Sequence, residues 1–130
     1  MTTFPPPFDE LRLEAAADLA DRWSEPCEAV FEFLAENYPP ELLKLIASGR
    51  LRATDLTFAA EIAGRLSDST AVRRTLLPLL LHDQAVVREG AIYGLAPQAD
   101  ETVRSALARL SASDPSAAVR QAATETLADL

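Results

Sequence analysis

Four Val-Arg dipeptides begin at Val72, Val87, Val103 and Val119, separated by 15, 16 and 16 residues. This near-constant interval constrains the fold more than any other feature of the chain. An aspartate precedes each pair, at Asp68, Asp83, Asp100 and Asp114. Sixteen residues hold one helix of about three turns and a connection, so two intervals make one helical hairpin. At an offset of 31, Leu76, Leu77 and Leu79 fall on Leu107, Ala108 and Leu110; at 32, Val87, Arg88, Ala91 and Leu95 fall on Val119, Arg120, Ala123 and Leu127. The extra residue belongs to the turn, where SASDPSAAV replaces LLHDQAVV. Thirty-one residues before Val87 and Ala91, Leu56 and Ala60 give a weaker echo without the arginine.

Each part of the pattern has a mechanical reason. A turn aspartate accepts hydrogen bonds from the unpaired N–H groups of a helix start and suits the positive end of its dipole. Val closes the end of the apolar layer between hairpins, and the small Ala that follows lets neighbouring helices approach. The arginine reaches across the turn to an aspartate of the next repeat, building a ladder along a stack of hairpins.

Ahead of this regular part, TTFPPP reads as an extended arm over residues 1–7. Phe8, Leu11, Ala15, Leu19 and Trp23 form one apolar stripe of a first helix. Ser24 caps a second, which tolerates Pro26 in its first turn and ends near Asn37; Cys27, Val30, Phe31, Leu34 and Tyr38 share its apolar face. ELLKLIASG then makes a short helix stopped by Gly49 in the left-handed position, and Asp55 precedes the helix LTFAAEIAGRL. Only 4 glycines and 6% aromatic residues accompany abundant Ala and Leu, a composition for closely packed helices. The expected fold is all-α, a single domain of eight helices in four antiparallel hairpins. Residues 8–38 form a divergent acidic hairpin and residues 39–130 the regular ones.

LLPLLLHDQAVVREGAIYGLAP and LARLSASDPSAAVRQAATETLADL resemble HEAT-like repeats. Pro78 matches the proline often found in that family's first helix. Asp83, Val87, Arg88 and Ala91, and then Asp114, Val119, Arg120 and Ala123, match the turn and second helix. The resemblance covers Thr70 to Leu130, is slight over Glu41 to Leu66 and is absent before that. It implies a right-handed superhelical stack of helix pairs. Such stacks commonly bind proteins, occasionally nucleic acid, and in a few relatives are adapted to catalysis.

The net charge of −8 is concentrated. Met1 to Leu43 holds ten acids against Arg12 and Arg22, while the remainder is balanced. A backbone-tracking nucleic-acid binder needs unopposed Lys and Arg, so nucleic acid is not an expected partner. Trp23 with a nearby acid is therefore read as a core plug, not as a counterpart of the HEAT-like DNA glycosylases. One cysteine, Cys27, and one histidine, His82, leave almost no soft-ligand chemistry, and no metal or cofactor is expected. His82 lacks a nucleophile beside it and reads as a loop residue; Cys27, flanked by Glu25 and Glu28, reads as a buried thiol. With no leader-like N-terminus and no run of about 20 apolar residues, a soluble cytoplasmic protein is expected.

Two surfaces remain as binding candidates. Glu14, Asp18, Asp21, Glu25, Glu28, Glu32 and Glu36 recur at steps of 3 or 4, an acidic strip opposite the apolar faces of the first two helices. It is a solvated outer face or a docking surface for a basic partner. The second candidate is the common face of the second helices, with Glu61, Arg65, Arg88, Tyr93 and Arg120. The functional expectation is a non-catalytic protein-binding module, in its most specific version a small bacterial inhibitor of the immunity-protein type that caps a basic toxin or enzyme. The alternative is a structural adaptor that joins a larger assembly through an open terminal repeat at Leu127 and Leu130.

Overall fold

A computed structural model describes residues 26–130. The Pro-rich arm and the first expected helix, with Trp23, Glu14, Asp18, Asp21 and Glu25, lie outside the described residues. Within them the chain is all-helical, with no strand.

Helix α1, Pro26–Asn37, begins on the expected proline and buries Val30, Phe31 and Leu34. Pro39 and Pro40 end it and open α2, Pro39–Ala47, since a first-turn proline loses no helical bond. Leu42, Leu45 and Ile46 of α2 are buried, and Gly49 has a φ of +76°, the left-handed exit expected of it. Helix α3 spans Ala53–Ala63, so it starts two residues before Asp55. That aspartate sits inside the first turn and does not cap the helix as expected.

Helix α4, Ser69–Leu76, is capped by Asp68, whose Oδ1 accepts from the Ala71 N–H at 3.1 Å. Pro78 then changes the helix type. Having no N–H, it cannot supply the next α-helical bond, and the chain continues as a 3-10 segment over Leu77–Leu81. Helix α5 runs Ala85–Leu95, with a short 3-10 turn at Ala96–Gln98. Helices α6, Glu101–Ser113, and α7, Ala117–Asp129, complete the described chain.

The helices pack in a definite order. Helix α3 lies against α1 and, most extensively, α5; α5 lies against α7; so α1, α3, α5 and α7 form one row. Helix α2 packs on α1, α3 and α4, α4 on α5, and α6 on α7. The register of α3 and α5 is legible from their closest approaches. Gly90 lies against Thr57, Gly94 against Ala60, and Gln98 bonds to Gly64, pairs that ascend together along both helices. The two helices therefore run in the same direction. A Cβ on Gly90 would sit 2.6 Å from the Thr57 methyl, one on Gly64 2.5 Å from the Gly94 carbonyl, and one on Gly94 closer still to the Ala60 carbonyl. Backbone touches backbone at this joint.

All four valines of the repeating dipeptide, Val72, Val87, Val103 and Val119, are fully buried. The four aspartates have divided roles. Asp68 and Asp100 cap α4 and α6, the latter through Val103 N–H to Oδ1 at 2.9 Å. Asp83 and Asp114 cap nothing: Gln84 precedes α5 without a side-chain cap, and Ser116 caps α7. Asp114 is instead buried in an ion pair.

Candidate functional site

Two rungs of the arginine ladder are present among the described residues, Arg88–Asp114 turned inward and Arg73–Asp100 part-exposed. Arg88 grips Asp114 with both arms of its guanidinium, Nε to Oδ2 at 2.9 Å and one terminal NH2 to Oδ1 at 3.0 Å, while its other terminal nitrogen donates to the His82 carbonyl at 2.7 Å. Arg73 pairs with Asp100 at 3.1 Å and donates to the Gln98 carbonyl at 3.0 Å. The Arg73 bond runs from α4 to the start of α6 and the Arg88 bond from α5 to the turn ahead of α7. Burial alone would raise the Asp114 pKa. The Arg88 hydrogen bond, the Ser116 N–H and the charges of Arg88 and Arg120 outweigh burial and hold the carboxyl below its ordinary value. Arg88, placed by sequence on the exposed candidate surface, belongs to this joint.

The other candidates assemble on the outer face of the helix row. On α3, Phe58, Glu61 and the following Arg65 are exposed at steps of 3 and 4; on α5, Val86 and Tyr93 are exposed and flank Glu89; on α7, Gln121 and Glu125 are exposed. Side-chain contacts tie these strips together. Glu32 of α1 pairs with Arg65 at 3.3 Å, and Thr57 of α3 donates to the Val86 carbonyl at 3.0 Å. Tyr93 donates to Glu89 at 3.4 Å. Partial burial, the Glu89 charge and hydrogen bond, and the charges of Glu125 and Glu61 all raise the Tyr93 pKa above its usual 10. Phe58, Val86 and Tyr93, 40%, 43% and 45% exposed, are among the large apolar side chains most open to solvent in the described residues.

The result is a face with apolar anchors inside an acidic border. Sequence reasoning named Glu32, Glu36, Glu61 and Tyr93 on two separate surfaces; the Glu32–Arg65 pair makes the surfaces of Glu32 and Glu61 neighbours. Glu36 is exposed one turn beyond Glu32 on α1. Glu28 lies in the first turn of α1, while Glu14, Asp18, Asp21 and Glu25 fall outside the described residues. Missed by sequence were Phe58, Val86, Glu89 and Glu125. Their signal was the spacing of exposed positions on adjacent helices, which needs the inter-helix register to be read.

Elsewhere, a groove of about 520 Å³ is walled by Ile46, Leu51, Leu56, Pro78 and Leu79, with Arg74, Thr75 and His82 at its edge. The His82 Nδ1 accepts from the Gln84 N–H at 3.0 Å, which orients the ring as part of the turn. Among the described residues no cluster of three or more His, Cys, Asp or Glu is placed to hold a metal, and no helix is long and apolar enough to cross a membrane. Comparisons with family models, with curated proteins and with solved structures found no match.

Proposed function

We propose that the chain is a non-catalytic protein-binding module, a HEAT-like right-handed array of helical hairpins whose acidic and aromatic face docks a basic partner. The array reading is supported by the same-direction packing of α3 and α5 and by arginines that pair forward from hairpin to hairpin. The binding reading rests on one observation, the exposure of Phe58, Val86 and Tyr93 on adjoining helices α3 and α5, with Tyr93 bonded to Glu89 and Glu61 and Glu125 exposed on α3 and α7. Exposed aromatics supply contact area at low entropic cost and receive cations on their ring faces. The surrounding carboxylates steer a basic surface and set the salt dependence of its approach. A stoichiometric inhibitor of the immunity-protein type is the specific version this surface fits.

The test is affinity capture from native lysate at low and high salt with the wild-type chain and a variant carrying Tyr93→Ala, Glu61→Gln, Glu89→Gln and Glu125→Gln. Enrichment of basic proteins, lost in 0.5 M salt and lost by the variant, is the expected result. Equal capture by wild type and variant, or capture of acidic proteins only, overturns the assignment of this face.

A further inference from the structure

The groove beside His82 shares no residue with the acidic face, and the proposed function makes no use of it. Its apolar walls come from four elements: Ile46 of α2, Leu51 of the connection that follows, Leu56 of α3, and Pro78 and Leu79 of the 3-10 segment. Its polar groups are donors without an opposing acceptor. Arg73 is committed to Asp100 and to the Gln98 carbonyl, but the next residue, Arg74, makes no hydrogen bond or ion pair with any described residue. His82 accepts the Gln84 N–H at Nδ1, and a neutral imidazole that accepts at one nitrogen carries its proton on the other. Its Nε2–H is therefore a donor, and no bond among the described residues uses it. The Thr75 hydroxyl is already engaged, donating to the Ala71 carbonyl at 2.8 Å. Among the described residues, no Asp or Glu lines the groove.

Apolar walls with a donor-only rim select a ligand that is apolar along its body and an acceptor at its end. The size of the groove selects a small molecule. About 520 Å³ lies within the range of small-molecule sites, about 300–1,000 Å³. One turn of a helix about 10 Å across with its side chains already takes roughly 420 Å³, so a docked helix of any origin is poorly accommodated. The geometry points to a binding site for a small amphipathic carboxylate, its aliphatic chain laid against Leu51, Leu56 and Leu79 and its carboxylate held by Arg74 and the His82 Nε2–H. Two donor groups suit two carboxylate oxygens, and the guanidinium makes its bond charge-assisted. Removing the chain from water supplies the remaining affinity.

The experiment titrates the full chain at neutral pH with octanoate, following backbone amides by NMR. Octanamide, which keeps the chain and lacks the charge, and acetate, which keeps the charge and lacks the chain, are titrated beside it. Octanoate is expected to shift the amides of residues 46–56 and 74–82 and to saturate with a Kd of about 0.1–1 mM. Octanamide is expected to bind about tenfold more weakly, and acetate to leave those amides in place. Arg74→Gln is expected to bring octanoate down to the octanamide level. Ala47→Trp, at an exposed position lining the groove, is expected to abolish binding of both by filling it. Equal binding of octanoate and octanamide, a comparison that needs no variant, overturns the proposal. So does full octanoate affinity in Arg74→Gln, or a set of shifts scattered over other apolar surfaces. Nuclear Overhauser contacts to Leu51 and Leu79 from another segment of the chain or from a second copy, in the absence of octanoate, assign the groove to that occupant and also overturn it.

Discussion

Two neighbouring joints in the same helix row are built from opposite chemistry. Between α3 and α5, glycines at 64, 90 and 94 bring backbone onto backbone, and the Gln98 side chain donates to the Gly64 and Leu66 carbonyls at 2.9 and 2.8 Å. Between α5 and α7, Arg88 reaches a buried carboxylate, and Val87 and Ala91 of α5 and Val119, Ala122 and Ala123 of α7 are buried. The first joint depends on side chains that are missing at its glycines; the second is specified by one that is present. A repeated layout therefore does not require repeated interactions. The arginine of the recurring pattern is absent at the earlier joint, where Thr57 takes its place in the 31-residue register and bonds to the Val86 carbonyl.

Changes at the glycine joint are expected to be the most damaging. Gly94→Ala drives a methyl into the Ala60 carbonyl and the Leu76 side chain, a helix separation that costs about 3 kcal/mol or more by urea denaturation. Gly49→Ala is the contrasting case. Nothing lies within 4 Å of its would-be Cβ, so only the left-handed backbone is strained, at about 1 kcal/mol. Equal losses at the two positions would remove the distinction between close packing and backbone strain.

The charged joint ranks next. Asp114→Ala leaves the Arg88 fork buried without its partner and is expected to cost about 3 kcal/mol at neutral pH. Because the folded-state pKa of Asp114 lies below its unfolded value near 3.9, the stabilisation is fully present above that value and is lost as the pH falls through the folded pKa. The gap between wild type and variant in urea midpoint is therefore flat above about pH 5 and closes in the acid limb. A gap independent of pH down to the acid transition would contradict the ion-pair account.

Smaller effects separate the remaining contacts. Gln98→Ala strips two carbonyls near the end of α3 of their donor and is expected to cost about 1–2 kcal/mol. Asp68→Ala and Asp100→Ala each remove a helix cap, worth about 1 kcal/mol, whereas Asp83→Ala stays within about 0.5 kcal/mol because that side chain caps nothing. Thermal melts of the three single variants check the order, and an Asp83 loss as large as the others would restore a uniform role for the turn acids.

Much of the described fold was legible in sequence because it depends on local rules. The prolines at 26, 39 and 40, the left-handed exit at Gly49 and the burial of each repeating valine follow from backbone geometry and apolar periodicity. The aspartates were legible only as turn residues. Whether a carboxylate caps its own helix, as at Asp100, or joins the previous hairpin, as at Asp114, depends on which donor lies nearest after packing. The candidate surface was less legible still, since Glu89 and Glu125 become companions of Tyr93 only when α5 and α7 lie together.

By itself, then, the sequence determined the helical class, the burial of the recurring valines and the forward pairing of Arg73 and Arg88, because these follow from spacing along one chain. Tertiary structure decided the glycine contact of α3 with α5, the inward turn of Arg88 and the merging of acids from separate helices into one face. Those features depend on the register between helices, which is set by how closely two backbones approach and which side chains are small enough to permit it.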